Sequence, residues 1–340
     1  MSHNEIRVLT AQEIGSLLDC QEASVVGAVA NAYAEYSAGH CVLPHSTFIF
    51  LDGNETNRVI ALPGYLGGAF DVAGVKWIAS VPDNREKGLE RASGVIALND
   101  PVTGRVTSIL EASAINASRT AAFATFAAQH LVVDSQVRKI GMIGLGRINL
   151  EVFRFLQFAF PNIEHVTIYD TDARAIESFN KWLSKHGFGG RVERLRCACD
   201  VLSSATLVSI ATTATVPYLP TLAQAQRDAV ILHLSLRDLG MEAILEARNV
   251  VDDANHVCRA KTSVHLVAER VGHRDFLVSL ADVIAGRARD LWDAGPIVFS
   301  PFGLGVLDLA VASWVVLRAG ERGVGRVLHG FYPPHWSTHP

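Results

Sequence analysis

Two patterns of apolar positions divide the chain. Up to about residue 111, after two helical stretches, apolar residues run in short spans broken by Gly, Asn, Asp and Pro. Beyond residue 138, short apolar runs take turns with segments of helical period. Thr10-Ala11-Gln12-Glu13 is a capping-box pattern that opens a helix to about Asp19, and 22–37 carries Ala and Val on one face. The spans 45–51, 58–62, 72–80, 93–98 and 106–111 predict strands, the last two joined by the hairpin-like 99–104. Strands with short links lying between helices predict an antiparallel or mixed sheet in an α+β domain. One face of such a sheet needs a cover, and a second copy of the chain is a natural one. An Ala-rich helix over 114–130 bridges into the second half. There the strands 139–143, 165–169, 192–195, 206–211, 229–234, 249–251 and 297–299 alternate with helices, notably 173–186, 264–272 and 276–285. That alternation predicts a parallel, doubly wound sheet. An apolar helix over 304–318 ends at Gly320, and the short remainder is expected to return to the first domain.

The strand 139–143 breaks into Gly144-Leu145-Gly146-Arg147-Ile148-Asn149, a helix follows to Phe160, and the strand 165–169 delivers Asp170. Strand, glycine turn, helix, strand and acid are the parts of a dinucleotide-binding unit. Gly144 permits the turn, Gly146 permits close approach of a pyrophosphate, and the N–H groups of Arg147, Ile148 and Asn149 open the helix toward it. Asp170 would accept ribose hydroxyls and repel a 2′-phosphate, which favours NAD over NADP. The third glycine of the fingerprint is replaced by Asn149, which is expected to loosen helix–sheet packing without abolishing NAD binding.

The net charge of −4 leaves no excess of Lys and Arg for a nucleic-acid partner. No apolar run nears the roughly 18 residues of a membrane span, and Met1 to Arg7 lack a signal-peptide core, so a cytoplasmic protein is expected. The five cysteines form no disulfide framework, and Cys197 and Cys199 lack partner ligands for zinc. All five are expected as free thiols, with no metal site, and His335 and His339 as solvated.

In an open α/β sheet, ligands sit beyond the carboxyl ends of the strands. Thr212 and Thr213 follow one strand there, and could line a ribose or simply make a turn. Ser235 and Asp238 follow the next. Asp238 is either an acid/base facing the nicotinamide or the N-cap of a helix near Met241. Lys76 interrupts an apolar strand, which is costly unless it faces a cleft or a carboxylate; the alternative is an edge lysine in solvent. Arg119 interrupts an Ala-rich helix, as a carboxylate-binding arginine would, or marks a solvated face. Arg58 and Arg91 are weaker members of this cationic set.

Together these residues resemble the ornithine cyclodeaminase/μ-crystallin family. The resemblance rests on the Lys76 strand, Ser118-Arg119-Thr120-Ala121-Ala122, the glycine turn, Asp238, and the run from Pro301 to Ala310. It implies a Rossmann domain, 126–307, and a split substrate and dimerisation domain, 1–125 plus 308–340. The stretches 76–84, 87–93 and 233–238 are similar to the branch that makes 2,3-diaminopropionate for siderophores and peptide antibiotics. Its members are N-(2-amino-2-carboxyethyl)-L-glutamate dehydrogenases, which oxidise the secondary amine with NAD and release diaminopropionate and 2-oxoglutarate. The resemblance implies a homodimer with Lys76 and Asp238 as catalytic groups and Arg119 on a substrate carboxylate. Family members often carry an arginine near His45; here His45, Arg58 or Arg91 takes that role, or the substrate differs. Alternatives are an ornithine cyclodeaminase, an imine or ketimine reductase, and a crystallin-like protein that holds NAD and a small ligand without turnover.

Overall fold

A computed structural model describes residues 4–53, 56–288, 290 and 295–333. His335 and His339 lie outside the described residues. The chain divides into two compact units, Met1–Arg119 with Gly305–Pro340, and Thr120–Leu304.

The first unit opens with β1 (Glu5–Leu9), α1 (Ala11–Leu18) and α2 (Glu22–Ser37). The Thr10 hydroxyl and the Glu13 carboxylate close the expected capping box at α1. Then come β2 (Cys41–Val42), β3 (Thr47–Phe50), β4 (Arg58–Leu66), β5 (Val72–Ser80), β6 (Ala92–Asn99), β7 (Val106–Glu111) and α3 (Ala112–Leu131), within which the division falls.

The second unit continues with β8 (Lys139–Ile143), α4 (Arg147–Ala159), β9 (His165–Tyr169), α5 (Ala173–Lys185), β10 (Arg191–Arg194), α6 (Ala198–Ser204), β11 (Leu207–Ile210), β12 (Val230–His233), α7 (Met241–Glu246), β13 (Arg248–Val251), α8 (Ala254–Val257), α9 (Ser263–Val271), β14 (Leu277–Ser279), α10 (Leu280–Ile284) and β15 (Ile297–Phe299). The chain returns to the first unit as α11 (Gly305–Arg322) and β16 (Arg326–His329).

The first unit's sheet runs β16-β1-β7-β6-β5-β4-β2, with β3 also on β4. All its pairs are antiparallel except β1 with β7. Helices α1, α2 and α11 pack on one face of it. On β5, Lys76 and Ile78 point to that face, whereas Trp77 points to the other and is 42% exposed, beside Val95 at 42% on β6. Strand alternation therefore separates a helix-covered face from an apolar face that no element of the described unit covers.

The second sheet is wholly parallel, in the order β10-β9-β8-β11-β12-β15-β13-β14. Its order reverses between β8 and β11, the switch point at which open α/β sheets bind ligands. This is the Rossmann type of sheet the alternation predicted.

Several elements differ from expectation. β1, β2 and β16 were not anticipated, because runs of two to five residues are too short for a clear alternation. The expected helix over 276–285 is instead β14 followed by the short α10, with Ser279 ending one and capping the other. Helix α11 runs through Gly320 to Arg322, since no Cβ is missed on that open side of the helix.

In β8, a Cβ on Gly141 would lie 2.6 Å from Val201 Cγ1 of α6. Gly141→Ala is expected to cost about 1–3 kcal/mol by overpacking, because the β-branched Val201 cannot swing aside. The check is a lowered urea midpoint at unchanged m-value.

Candidate functional site

The turn after β8 is built for a close-approaching ligand. Gly144 has φ +80, and a Cβ there would meet Ala211 O at 2.5 Å, so only glycine lets the β8 and β11 ends come this near. Gly146 takes the N-cap position of α4 with extended backbone and no side-chain cap, which leaves the helix's first N–H groups for an anion. Asp170, at the end of β9, accepts from Leu145 N–H at 2.7 Å and Asp172 N–H at 2.8 Å. A carboxylate offers about four lone-pair sites, so these two bonds leave acceptor capacity for hydroxyls.

Asn149 corrects an expectation. It is fully buried and ties the turn together instead of loosening it. Its Nδ2 donates to Ile143 O at 2.9 Å and Gly144 O at 2.6 Å, and its Oδ1 accepts from Ser209 Oγ at 2.6 Å. A small residue at this place would leave those carbonyls to other donors. Arg147 is exposed and Ile148 half-buried at the helix start.

Asp238 follows β12 and is fully buried. It is not a helix cap: Gly240 caps α7. Thr212 and Ser235 donate their hydroxyls to its two carboxylate oxygens, and His233 Nε2 lies 3.2 Å from Oδ2. Burial pushes this carboxyl up, but the hydrogen bonds from His233, Ser235 and Thr212 outweigh it and hold the group below its ordinary range. Two residues read from sequence as cofactor contacts thus orient the acid. Thr213 is exposed beside them. Leu236, within the same turn, has φ +69, a backbone strain of the kind that gathers where a loop must aim a side chain.

The first unit holds a second cluster. Lys76 is 2% exposed and Arg119 8%, on the central strand β5 and on α3, so neither the edge-lysine nor the solvated-face alternative holds. Both grip Asp308 of α11: Lys76 Nζ reaches Oδ2 at 2.7 Å and Arg119 Nε reaches Oδ1 at 3.0 Å. Asn116 Oδ1 accepts from Lys76 Nζ and Arg119 Nη2, each at 3.0 Å. Burial lowers the Lys76 amine to about 8, with Asp308 opposing the shift and Arg119 adding to it. Asp308 and Asn116 were missed in the sequence, although an acid inside the apolar α11 is as conspicuous as the lysine in β5. Arg58 opens β4 opposite Ser80, on Lys76's face of the sheet, with its guanidinium carbon 5.9 Å from the Phe48 ring centre. Arg91 lies at the same sheet end, where its carbonyl accepts from Val81 N–H at 2.8 Å. His45 is exposed between β2 and β3.

Two further features lie in the second unit. Asp252, beyond β13, accepts from the N–H groups of Phe302 (2.9 Å) and Gly303 (2.8 Å) and so pins the turn that precedes α11. Burial raises its carboxyl to about 6. Cys197 and Cys199 are joined in a disulfide, contrary to the expectation of free thiols. Extended backbone at Cys197 and the start of α6 bring their Cα atoms to 5.4 Å, inside the disulfide range. Cys20 is exposed, Cys41 half-buried and Cys258 buried, all three free. No helix among the described residues is long and apolar enough to cross a membrane.

The model of the ornithine cyclodeaminase/mu-crystallin family matches residues 4–322. The chain is 29% identical to the N-((2S)-2-amino-2-carboxyethyl)-L-glutamate dehydrogenase of Staphylococcus aureus, over 89% of this chain and 92% of that protein. An archaeal alanine dehydrogenase dimer with bound NAD superposes with a TM-score of 0.82 at 25% identity, covering 95% of this chain and 99% of that one. The fold is also that of the Thermococcus litoralis Delta(1)-pyrroline-2-carboxylate reductase in complex with NADH and L-proline, with a TM-score of 0.85 at 22% identity over 94% and 99% of the two chains.

Asn149→Ala is expected to cost about 2 kcal/mol, since it strands the buried Ser209 hydroxyl and two turn carbonyls. Chemical denaturation measures that loss, and a parallel loss of NAD affinity is expected from the slackened turn.

Proposed function

The chain belongs to the ornithine cyclodeaminase/mu-crystallin family, and from that premise we propose that it cleaves N-(2-amino-2-carboxyethyl)-L-glutamate oxidatively to L-2,3-diaminopropionate and 2-oxoglutarate. Family membership makes it an NAD-dependent oxidoreductase acting on CH–NH donors. The Gly144–Gly146 turn, the uncapped α4 start and Asp170 fit NAD, with Asp170 on the adenosine ribose. The product would feed siderophore or peptide-antibiotic assembly.

The observation that carries the substrate class is the charge count around Asp308. Two buried cations face one carboxylate, and buried positive charge demands a further anion. A dicarboxylic amino-acid skeleton supplies it. Lys76 and Arg119 therefore hold substrate carboxylate. NAD, held at the Gly144–Gly146 turn and by Asp170, would supply the hydride acceptor for the glutamyl Cα–H, so that the substrate becomes an imine between the glutamate skeleton and diaminopropionate. Asp238, ionised in its nest of donors, accepts a proton from the water that adds to that carbon. It returns a proton to the nitrogen as the C–N bond breaks, which releases amine and keto acid. The balance is one water consumed and one NADH and one proton formed per cleavage.

The outer sheet face argues for a homodimer. Ile49 (47% exposed) on β3, Trp77 on β5 and Val95 on β6 stand on that face, an apolar surface of the kind a second copy covers.

Incubation with NAD and N-(2-amino-2-carboxyethyl)-L-glutamate is expected to give NADH, by absorbance, in step with diaminopropionate and 2-oxoglutarate, by mass. Ammonia release without net NADH would instead mean cyclodeamination. Asp238→Asn is expected to lower kcat by about 10²–10⁴-fold while sparing NAD binding. Trp77→Glu is expected to convert a dimer to monomer in sedimentation; an unchanged sedimentation coefficient would remove this face from the interface.

A further inference from the structure

Behind Asp238 stands a buried group with no place in the mechanism above. His233, the last residue of β12, is completely buried, and both its ring nitrogens have partners. Nε2 lies 3.2 Å from Asp238 Oδ2, and Nδ1 lies 3.0 Å from Ser300 Oγ, just past the end of β15. Strands β12 and β15 are paired neighbours, so adjacent strand ends deliver imidazole and hydroxyl to one spot. Asp238 N–H also points at Nε2, at 3.3 Å. The result is a linear chain, Ser300 to His233 to Asp238, closed at its far end by Thr212 and Ser235. We propose that His233 is a positioning residue that shares the proton of Asp238, with Ser300 setting its tautomer, so that the acid/base works as an aspartate–histidine pair. This rests on the reading of Asp238 as the acid/base.

A carboxylate held below its ordinary range by its donors is a weak base for chemistry on an amine or on water. On taking up a proton it needs an acceptor in place of one of those donors. An imidazole removes the conflict, since it can donate or accept through either nitrogen. In the resting pair, Asp238 is ionised, Nδ1–H donates to Ser300 Oγ, and Nε2 is bare and accepts from Asp238 N–H. When a proton arrives at Asp238 from substrate or water, it is held between Oδ2 and Nε2. Ser300 Oγ stays the acceptor for Nδ1–H throughout. One proton enters and none is lost.

The groups facing the pair are consistent with this assignment. From the β11–β12 side come the Thr212 and Ser235 hydroxyls, neither of which titrates in the working range. Tyr218, with Tyr169 near it, supplies the remaining titratable groups; desolvation and the Asp238 charge push the Tyr218 phenol up, so it stays neutral. Arg237, the residue before the acid, turns away and donates to Ala260 O at 2.6 Å. His233 is therefore the one imidazole joined to the acid among the described residues.

His233→Gln keeps a donor for Asp238 but cannot change charge. Its expected effect is a loss of about 10²-fold or more in kcat. In addition, the acid limb of the kcat/KM profile, read as NADH formation from N-(2-amino-2-carboxyethyl)-L-glutamate, should move, because Asp238 then holds its proton without the imidazole. A limb that stays in place would reduce His233 to a packing role. A second arm needs neither substrate nor a variant that turns over. In ¹⁵N-histidine spectra of the wild-type protein, with the signal assigned by its absence in His233→Gln, the resting tautomer should be Nδ1–H, and Asp238→Asn should shift the signal. A resting Nε2–H tautomer, or a signal indifferent to Asp238→Asn, overturns the inference. The two readings fail separately. Wild-type turnover by Asp238→Asn removes the acid/base itself, whereas an inactive Asp238→Asn with an unmoved limb in His233→Gln removes only the pair.

Discussion

One carboxylate between two buried cations sets the terms for the first unit. Asp308 enters from the first turn of α11, where the helix dipole favours an acid, and takes Lys76 from the sheet and Arg119 from α3. Removing either cation from water costs several kcal/mol, and Coulomb attraction repays that only with close geometry and full hydrogen bonding. Asn116 completes the bonding by accepting from both. Three secondary-structure elements are thereby held in register around a centre that keeps a net positive charge. That surplus explains why the Lys76 amine falls to about 8: burial and Arg119 act against its proton, and one carboxylate does not fully restore it.

The three buried aspartates show how environment divides labour among identical side chains. Asp308 is matched by fixed charge. Asp238 has no fixed cation, and hydroxyls with an imidazole hold it ionised. Asp252 has backbone N–H groups as its donors, too little to offset burial, and its carboxyl rises to about 6. In the mechanism proposed above, the second setting is what suits Asp238, and not Asp308, to the proton work.

Much of the architecture was legible because it is written in periodicity. The parallel sheet announced itself through short apolar runs alternating with helical segments, and the glycine turn through its place between strand and helix. What escaped was short or paired at a distance. β1 and β16 stabilise each other from opposite ends of the chain, so neither carries a local signal. β14 is three residues long and runs straight into a helix, which made the two look like one helix. In the first unit, Lys76 and Arg119 stood out as charged residues in apolar surroundings, and in the second Asp238 stood out by its place after a strand. Asp308 did not, because it lies 232 residues from Lys76, and Thr212, 26 residues from Asp238, was read as a cofactor contact and not as that acid's partner. Asn149 was misread for a related reason. Its value lies in three bonds to the turn and to β11, which no fingerprint at one position reveals.

The central claim is that a ligand carboxylate completes the charge around Lys76 and Arg119. Calorimetric titration of 2-oxoglutarate into the NADH-loaded protein, from pH 6.5 to 9.5, tests it most directly. The Lys76 amine is a cation below about 8 and neutral above it. Affinity should therefore hold steady on the acid side and fall by up to tenfold per unit beyond pH 8, and Lys76→Met should bind weakly with no such bend. An affinity that ignores pH across this window, or a Lys76→Met variant that binds as tightly as wild type, would contradict the account.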